Sequence, residues 1–466
     1  MVTLIQTVSE HVKAAKDGNV DITEFLHKTI EESKRIQLEY SPFITLNEHV
    51  EMPKSEGMLY SLPVSVKDCI CTNGIRTTAG SKVLDGYVPP FDATCVSKAK
   101  DAGAFILGKT AQDEFGFGTF SINCSYSVPK NPIDKSRTCG GSSGGAACLT
   151  AASSFPHMAI AESTGGSITA PAAFTGTVGL TPTYGIVSRY GLIDYSNSMD
   201  KIGIISKSVE DAALGLSIIS GYDPLDSTSV ERPSEDYTRY VHEDVKKLRV
   251  GVPKEYFTEN VDERISKLVL KRLEQLQSLG IQCKETSLPL TKYALPAYYL
   301  IAMSEASTNL AKYCGLRYGK QEQSEDNFDS YFSRIRSGAF GEEAKRRIIL
   351  GTYARMAGFR DAYYLKALKV RSLIIKEFKN AFKDFDALIT PSMPILPPTF
   401  SDIGKLTPAQ TYAMDVLTTP ANLACMPTIS VPIGLAEGLP VGIQIISNHF
   451  CEGKTIALGS AIEGLK

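Results

Sequence analysis

Two spacings of apolar residues recur along the chain, one typical of helices and the other of short buried strands. Residues 5–38 repeat apolar positions at helical spacing and predict two helices, with Asp21 as the N-cap of the second. Residues 62–68 and 104–109 predict short strands, and residues 94–102 between them predict a helix. This succession of helices and strands indicates an α/β fold.

The rest of the chain continues the alternation around a long helical stretch. Five further strands are predicted over residues 157–162, 248–253, 387–390, 428–431 and 441–446. Residues 293–380 predict mostly helix. We expect the C-terminal strands to rejoin the sheet that the N-terminal part begins, which makes the helical stretch an insertion.

Composition and charge restrict the class of protein but do not identify its function. The 466 residues include 43% hydrophobic and 21% charged residues, which is ordinary for a soluble globular enzyme. A net charge of −2 provides no general attraction to nucleic acid or anionic membranes. We expect no membrane insertion, because no apolar run reaches the ~18 residues that a spanning helix needs. We expect no metal site either, because the close pair Cys69-x-Cys71 fits neither redox nor zinc motifs.

Candidate chemistry begins with two glycine-rich segments, GGSSGG at 140–145 and STGGS at 163–167. Glycine allows positive φ angles and lets the backbone approach a ligand closely. Consecutive backbone N–H groups can also point at one spot and stabilise a developing negative charge. A serine that follows two such glycines is placed like an acyl-transfer nucleophile. No Gly-Lys-Ser/Thr follows the first segment, which argues against a phosphate-binding loop.

A serine nucleophile needs a base, and neither segment contains a histidine. His157 is the nearest in sequence, but it lies on an apolar strand and is expected to be a packed residue. The G-x-S-x-G elbow of many Ser-His-Asp hydrolases is also missing. A lysine kept neutral by burial is the alternative, and Lys67 at the end of an apolar strand is the candidate. Taken alone, Lys67 would be interpreted as a surface lysine, and the glycine segments are compatible with turns that have no catalytic role.

Together these segments resemble the amidase signature family, the Ser-cisSer-Lys hydrolases. The matching stretches are LPVSVKD at 62–68, GGSSGG at 140–145, TGGSI at 164–168 and PAAFTGTVGL at 171–180. The resemblance implies an α/β amidase signature fold with a large mixed central sheet and helices on both faces. It also implies a single domain over 1–466. Its parts are N-terminal helices at 1–50, a signature core at 60–222, a helical insertion at about 290–380 and C-terminal strands at 385–466.

The same resemblance assigns roles to residues of the two glycine-rich segments. Lys67, Ser142 and Ser167 correspond to the family's catalytic triad, with Ser143 as the alternative for the bridging serine. The oxyanion hole is implied at the backbone of Thr164, Gly165 and Gly166.

Two positions depart from the family pattern. The family usually has Asp where Ser163 stands and Arg where Thr169 stands. A joint loss removes an ion pair without leaving one charge buried alone. We therefore expect a change in the rigidity of the turn, and we expect the nucleophile to be kept.

Further motifs resemble one group within this family, the A subunits of glutamyl-tRNA(Gln) amidotransferases. These motifs lie at 182–192, 223–229, 304–310 and 345–352. The resemblance implies that Tyr298, Arg347 and Asp415 bind the substrate glutamine. This agrees with simple chemistry, because a guanidinium group pairs with a carboxylate and a carboxylate pairs with an ammonium group.

The implied activity is hydrolysis of glutamine to glutamate and ammonia, with no cofactor in this chain. Ammonia would pass to a B subunit that uses ATP and Mg²⁺ to amidate Glu-tRNA(Gln), bound mainly by that subunit, and a small third subunit is expected. The drifted signature and a short stretch between Asn47 and Leu62 indicate a fungal-type protein of the mitochondrial matrix, with the bacterial cytoplasm as the alternative. Two other functions stay open: a scaffold for the B subunit that has lost catalysis, and a stand-alone amidase.

Overall fold

A computed structural model of the chain describes residues 7–49, 51–53, 55–323 and 327–465. Its eleven strands, within these ranges, are β1 Phe43–Leu46, β2 Pro63–Lys67, β3 Phe105–Thr110, β4 Met158–Ser163, β5 Val178–Thr181, β6 Lys201–Ser206, β7 Arg249–Pro253, β8 Gln282–Thr286, β9 Ala387–Pro391, β10 Thr428–Ala436 and β11 Leu439–Ser447. All of them belong to one sheet in the order β1-β3-β2-β4-β6-β5-β10-β11-β9-β7-β8.

Helices occupy most of the chain between these strands. They are α1 Val8–Lys16, α2 Ile22–Tyr40, α3 Thr94–Asp101, α4 Gly144–Ala152, α5 Thr169–Thr175, α6 Val209–Ile219, α7 Glu263–Ser278, α8 Ala294–Asn309, α9 Phe328–Ala339, α10 Glu342–Arg355, α11 Lys366–Asp384, α12 Phe400–Ile403, α13 Pro408–Ala413, α14 Thr419–Leu423 and α15 Glu452–Glu463. The first two correspond to the helices predicted over 5–38, of which residues 5 and 6 lie outside the described residues. Residues 1–6 and 50 of the predicted N-terminal segment likewise lie outside them.

The sheet is mixed, as the resemblance implied. β2 pairs in parallel with both β3 and β4, and β7 pairs in parallel with β8 and β9. The pairs between β4 and β9 along the sheet are antiparallel. Strands β2, β3 and β4 are buried along their whole length, as expected for strands with helices packed over them. The predicted mixed sheet flanked by helices is therefore confirmed.

The C-terminal strands rejoin the sheet at its centre. β10 pairs with β5, and β11 connects β10 to β9. The long helices α8 to α11 lie between β8 and β9 in the chain, within the stretch predicted as a helical insertion. The division of the single domain into the four predicted parts stays a prediction.

Helix α2 illustrates how local sequence sets an element's boundary. The Asp21 side chain accepts a hydrogen bond from the backbone N–H of Glu24 at 2.9 Å, as the sequence predicted. Burial of Leu26, Ile30 and Ile36 then places one face of the helix in a small core with strands β1 and β3.

Candidate active site

The candidate site forms where two adjacent parallel strands end. Val66 of β2 pairs with Ile160 of β4, so the carboxyl ends of both strands reach the same edge of the sheet. Lys67 is the last residue of β2, and Glu162 is the last but one of β4. The parallel register therefore brings a lysine and a glutamate side chain together.

Lys67 is fully buried and has three hydrogen-bond partners. Its Nζ lies 2.8 Å from the Ser142 Oγ, 2.9 Å from the backbone oxygen of Glu162 and 2.8 Å from the Glu162 Oε2. The exposed fraction of the side chain is 0% for Lys67 and 4% for Glu162, so these two groups are in direct contact in the protein interior.

The two adjacent serines have different partners. Ser142, which follows a cis peptide bond from Gly141, presents its hydroxyl to Lys67. The Ser143 hydroxyl instead donates to the backbone oxygen of Glu162 at 3.0 Å. The geometry thus favours Ser142 over Ser143 as the hydroxyl that communicates with the lysine.

Ser167 belongs to the turn that links β4 to α5. The backbone N–H of Ser143 donates to the Ser167 carbonyl at 3.2 Å, which ties this turn to the start of α4. Ser167 lines a small cavity with predicted site residues and with several others: Gly116, Gly118, Gly141, Gly165, Gly166, Tyr298, Tyr299, Arg347 and Asp415. The predicted nucleophile and the three predicted substrate-binding residues therefore face one space.

The predicted oxyanion turn has no room for side chains. A Cβ at Gly165 would lie 2.5 Å from the Tyr298 hydroxyl oxygen. Gly166 has a φ of +150°, and a Cβ there would lie 2.2 Å from Thr418 Oγ1. Thr164, the third predicted member, is buried beside them. Close contact of the backbone with the cavity explains why both positions are glycine.

Arg347 on α10 lies among aromatic rings. The guanidinium carbon is 5.1 to 5.5 Å from the ring centres of Phe117, Tyr195, Tyr299 and Tyr412. Its Nε donates to the Glu343 Oε1 at 2.8 Å, and its Nη1 donates to the Tyr195 hydroxyl. Cation–π contacts and the carboxylate hold the charge in place.

Asp415 follows helix α13 and reaches the same cavity from the other side. Its Oδ2 accepts hydrogen bonds from the Tyr299 hydroxyl at 2.7 Å and from the Thr119 hydroxyl at 3.1 Å. Burial raises the pKa of Asp415 to about 6, and these two hydrogen bonds only partly oppose the shift. A positive and a negative group thus line one cavity, as a free amino acid requires.

The two positions that depart from the family pattern are both buried. Within the part of the chain that the structure describes, neither the Ser163 nor the Thr169 hydroxyl has a hydrogen-bond partner. These two side chains therefore do not pair with each other.

The sequence analysis predicted that His157 is a packed residue and that the chain has no metal site and no membrane insertion. His157 is packed between Ser65 and Thr150, and burial lowers its pKa to about 3. Among the described residues, no cluster of histidine, cysteine or acidic side chains has the arrangement of a metal site. None of the helices in the described ranges combines the length and apolar character that crossing a bilayer requires.

Sequence reasoning missed several residues of the site. Glu162 was part of a predicted strand, and nothing in its spacing showed that it would face Lys67. Tyr299, which directly follows the predicted Tyr298, and Glu343, which precedes Arg347 by one helical turn, were not predicted. That (i, i+4) spacing is the one signal that could have identified Glu343.

Comparisons with known proteins agree with this geometry. A family model described as Amidase matches residues 40–456. The chain is 47% identical over 410 residues to the A subunit of the glutamyl-tRNA(Gln) amidotransferase of Halothermothrix orenii, covering 88% of this chain and 85% of that protein. It is 48% identical over 416 residues to the corresponding protein of Methanococcoides burtonii, covering 89% and 86%.

A solved structure shares the whole architecture. The crystal structure of the glutamyl-tRNA(Gln) amidotransferase A subunit from Thermotoga maritima superposes with a TM-score of 0.84 at 35% sequence identity. The match covers 100% of this chain and 96% of that one.

Proposed function

Because this chain belongs to the amidase family, we propose that it is the glutamine-hydrolysing A subunit of a glutamyl-tRNA(Gln) amidotransferase. The chain hydrolyses glutamine to glutamate and ammonia, and the ammonia serves to convert Glu-tRNA(Gln) to Gln-tRNA(Gln). The observation that carries this proposal is the position of the Lys67 Nζ, 2.8 Å from the Ser142 Oγ, beside a cavity that holds Ser167, Arg347 and Asp415.

Substrate recognition follows from the charges of the cavity. We assign the α-carboxylate of glutamine to the Arg347 guanidinium and the α-ammonium group to the Asp415 carboxylate. Tyr298 completes this pocket as the third substrate-binding residue. Such a clamp fits a free amino acid better than an arbitrary amide, which disfavours a stand-alone amidase of other specificity.

The first chemical step is acylation of Ser167. Its Oγ attacks the side-chain amide carbon, its proton passes to Ser142, and the Ser142 proton passes to Lys67. Backbone N–H groups of Thr164, Gly165 and Gly166 stabilise the oxyanion, and loss of one such donor typically costs about 10²–10³ in rate. The amide C–N bond breaks, and the leaving nitrogen takes the proton back from Lys67 through Ser142 and departs as ammonia.

Water completes the cycle by hydrolysing the glutamyl ester. The Lys67 and Ser142 pair removes a proton from the water, the acyl–oxygen bond breaks, and Ser167 regains its proton. No cofactor takes part in these steps in this chain. We expect ATP and Mg²⁺ to be used by the B subunit when it amidates Glu-tRNA(Gln).

The proposed function also implies partner subunits and a cellular compartment. We expect a B subunit that binds most of the tRNA, and a small third subunit. The mitochondrial matrix, with the bacterial cytoplasm as the alternative, stays a prediction, since the relatives above are prokaryotic. Co-purification of the tagged chain from its native cells, followed by mass analysis, identifies both the partners and the compartment.

Ammonia release from glutamine tests the activity. We expect wild-type chain with its B subunit to release ammonia and Ser167→Ala to lose at least about 10³-fold of that rate. No release by the wild-type complex would instead support a scaffold without catalysis. Efficient hydrolysis of unrelated amides without the partner would support a stand-alone amidase.

A further inference from the structure

A second carboxylic acid lies behind the lysine–glutamate pair. The Thr164 hydroxyl oxygen is 2.6 Å from the Glu162 Oε1 and 2.7 Å from the Asp200 Oδ1. The Asp200 Oδ2 accepts backbone N–H groups from Tyr195 and Ser196, each at 2.8 Å. Asp200 is 0% exposed, so a chain of three side chains runs from the protein interior to Lys67.

Counting hydrogens shows that one of the two acids carries a proton. A threonine hydroxyl has one proton and can donate to one of the two carboxyl groups, so the other must donate to Thr164. Two backbone donors occupy the Asp200 Oδ2, which leaves its Oδ1 to carry a proton. Burial, together with the nearby Glu162, raises the pKa of Asp200 well above its usual range. Asp200 is therefore the neutral acid, and Glu162 is the carboxylate.

We propose that Glu162 is a positioning residue that holds the Lys67 amine and stabilises the ammonium group formed when this lysine accepts the serine proton. This inference rests on the proposed function, and it adds a member to the predicted triad. Glu162 contacts neither the substrate nor Ser167 in this scheme, and its influence reaches the reaction through Lys67.

The hydrogen bonds suit both charge states of the lysine. As a neutral amine, Lys67 donates to the backbone oxygen and to the Oε2 of Glu162, and its lone pair accepts the Ser142 proton. When Ser167 attacks, its O–H bond breaks and its proton moves to Ser142, while the Ser142 proton forms a new N–H bond on Lys67. Glu162 stays ionised throughout, so the new positive charge forms beside an existing negative one.

Among the residues that the structure describes, Glu162 is the acidic side chain in salt-bridge contact with Lys67. Other titratable groups near this cluster are Cys69 and Asp113 beside Lys67, and Arg189 and Asp194 beside Asp200. Burial raises the pKa of the Cys69 thiol well above its usual range, which keeps it neutral. Asp113 accepts backbone hydrogen bonds from Ser121 and Asn123, and burial raises its pKa to about 6.

The test measures how readily Ser167 reacts, without using glutamine. A biotinylated fluorophosphonate forms a phosphorus–oxygen bond to the Ser167 Oγ, releases fluoride and sends the serine proton through Ser142 to Lys67. Labelling rates are measured from pH 5 to 10 on the full-length chain, with and without its B subunit, and Ser167→Ala identifies the labelled residue.

Glu162→Gln is expected to change the profile in two linked ways. Loss of the negative neighbour makes the ammonium form of Lys67 less stable. The fall in labelling rate on the acid side of the profile, its acid limb, therefore moves to lower pH by about 1 to 3 units. The weaker base also lowers the plateau rate at high pH by about tenfold. Glu162→Asp, which keeps the charge at a longer distance, is expected to shift the limb in the same direction by less.

Asp200→Asn is the matched variant, because an amide resembles the neutral acid and can still donate to Thr164. Its acid limb is expected at the wild-type pH. A Glu162→Gln profile that keeps the wild-type limb, or a shift caused by Asp200→Asn in its place, would overturn the inference. So would a wild-type chain that is not labelled at any pH. If labelling follows the expected pattern but glutamine is not hydrolysed, the proposed function fails and the inference stands.

Discussion

Neighbouring side chains of the same type differ in function because they differ in what they contact. The Ser142 hydroxyl contacts the lysine amine, whereas the Ser143 hydroxyl donates to a backbone oxygen.

Ser142→Ala is expected to lower the rate of glutamine hydrolysis by about 10²–10⁴, since it breaks the path for the proton. Ser143→Ala is expected to lower the free energy of unfolding by about 1 kcal/mol and to keep most activity. Ammonia release and urea unfolding measure the two effects; equal losses of activity would contradict this assignment.

Binding of glutamine should depend on pH through Asp415. Its pKa of about 6 means that the carboxylate becomes neutral as the pH falls through this value and no longer attracts an ammonium group. The dissociation constant of glutamine is therefore expected to rise up to about tenfold for each pH unit below 6.

Calorimetry on Ser167→Ala protein separates this binding from catalysis. Adding Asp415→Asn should weaken binding at pH 7 and remove most of the pH dependence between 7 and 5. A steep dependence that persists in the double variant would assign it to another group.

The sequence singled out candidate residues where a motif fixes both type and position. Lys67, Ser142 and Ser167 lie in short segments whose order along the chain carries the resemblance. Glu162 was not found, because its contact with Lys67 depends on the register between two strands that are far apart in the chain. The same limit applies to Asp200, which reaches the site only through Thr164.

At the scale of elements, helix α10 is held at its start by a buried acid. Glu114, on the loop after β3, accepts a hydrogen bond at 2.9 Å from the backbone N–H of Gly341, the N-cap of α10. Burial raises the pKa of Glu114 to about 7 from 4.5. The helix that carries Arg347 is thus attached to the segment that precedes the glycine-rich turn.

This raised pKa has a consequence for stability. The folded chain holds the Glu114 proton more tightly than the unfolded chain, so the resulting stabilisation is present below pH 4.5 and is lost as the pH rises through 7. The difference in unfolding free energy between wild type and Glu114→Gln should therefore fall by roughly 3 kcal/mol from about pH 4.5 to about pH 8. Urea unfolding of both proteins across this range measures it, and a constant difference would contradict the assignment.

The sequence analysis predicted strands that have clear apolar runs and missed several of the others. Strands β5 and β8 were missed because the first has four residues, one of them glycine, and the second is a polar edge strand. Strand β6 is fully buried, yet its six residues include a lysine, a glycine and a serine. Each of these strands is defined by its neighbours in the sheet more than by its own residues.

At the scale of the whole molecule, the two C-terminal strands join the halves of the sheet. Ile445 on β11 is fully buried and pairs with Ile429 on β10 and Ile389 on β9. Ile445→Ala is expected to cost about 2–5 kcal/mol of unfolding free energy, because it leaves a cavity at this junction. Leu435→Ala on β10, where the side chain is 61% exposed, should cost less than about 1 kcal/mol. Similar costs measured by urea unfolding would contradict the placement of β11 in the core.

The central position of β10 and β11 also affects when the enzyme can act. These strands leave the ribosome after β1 to β9, and Asp415 leaves shortly before them. Until they are inserted between β5 and β9, the two halves of the sheet have no shared edge. A nascent chain that lacks these strands therefore has a divided sheet, and we expect no release of ammonia until they are in place.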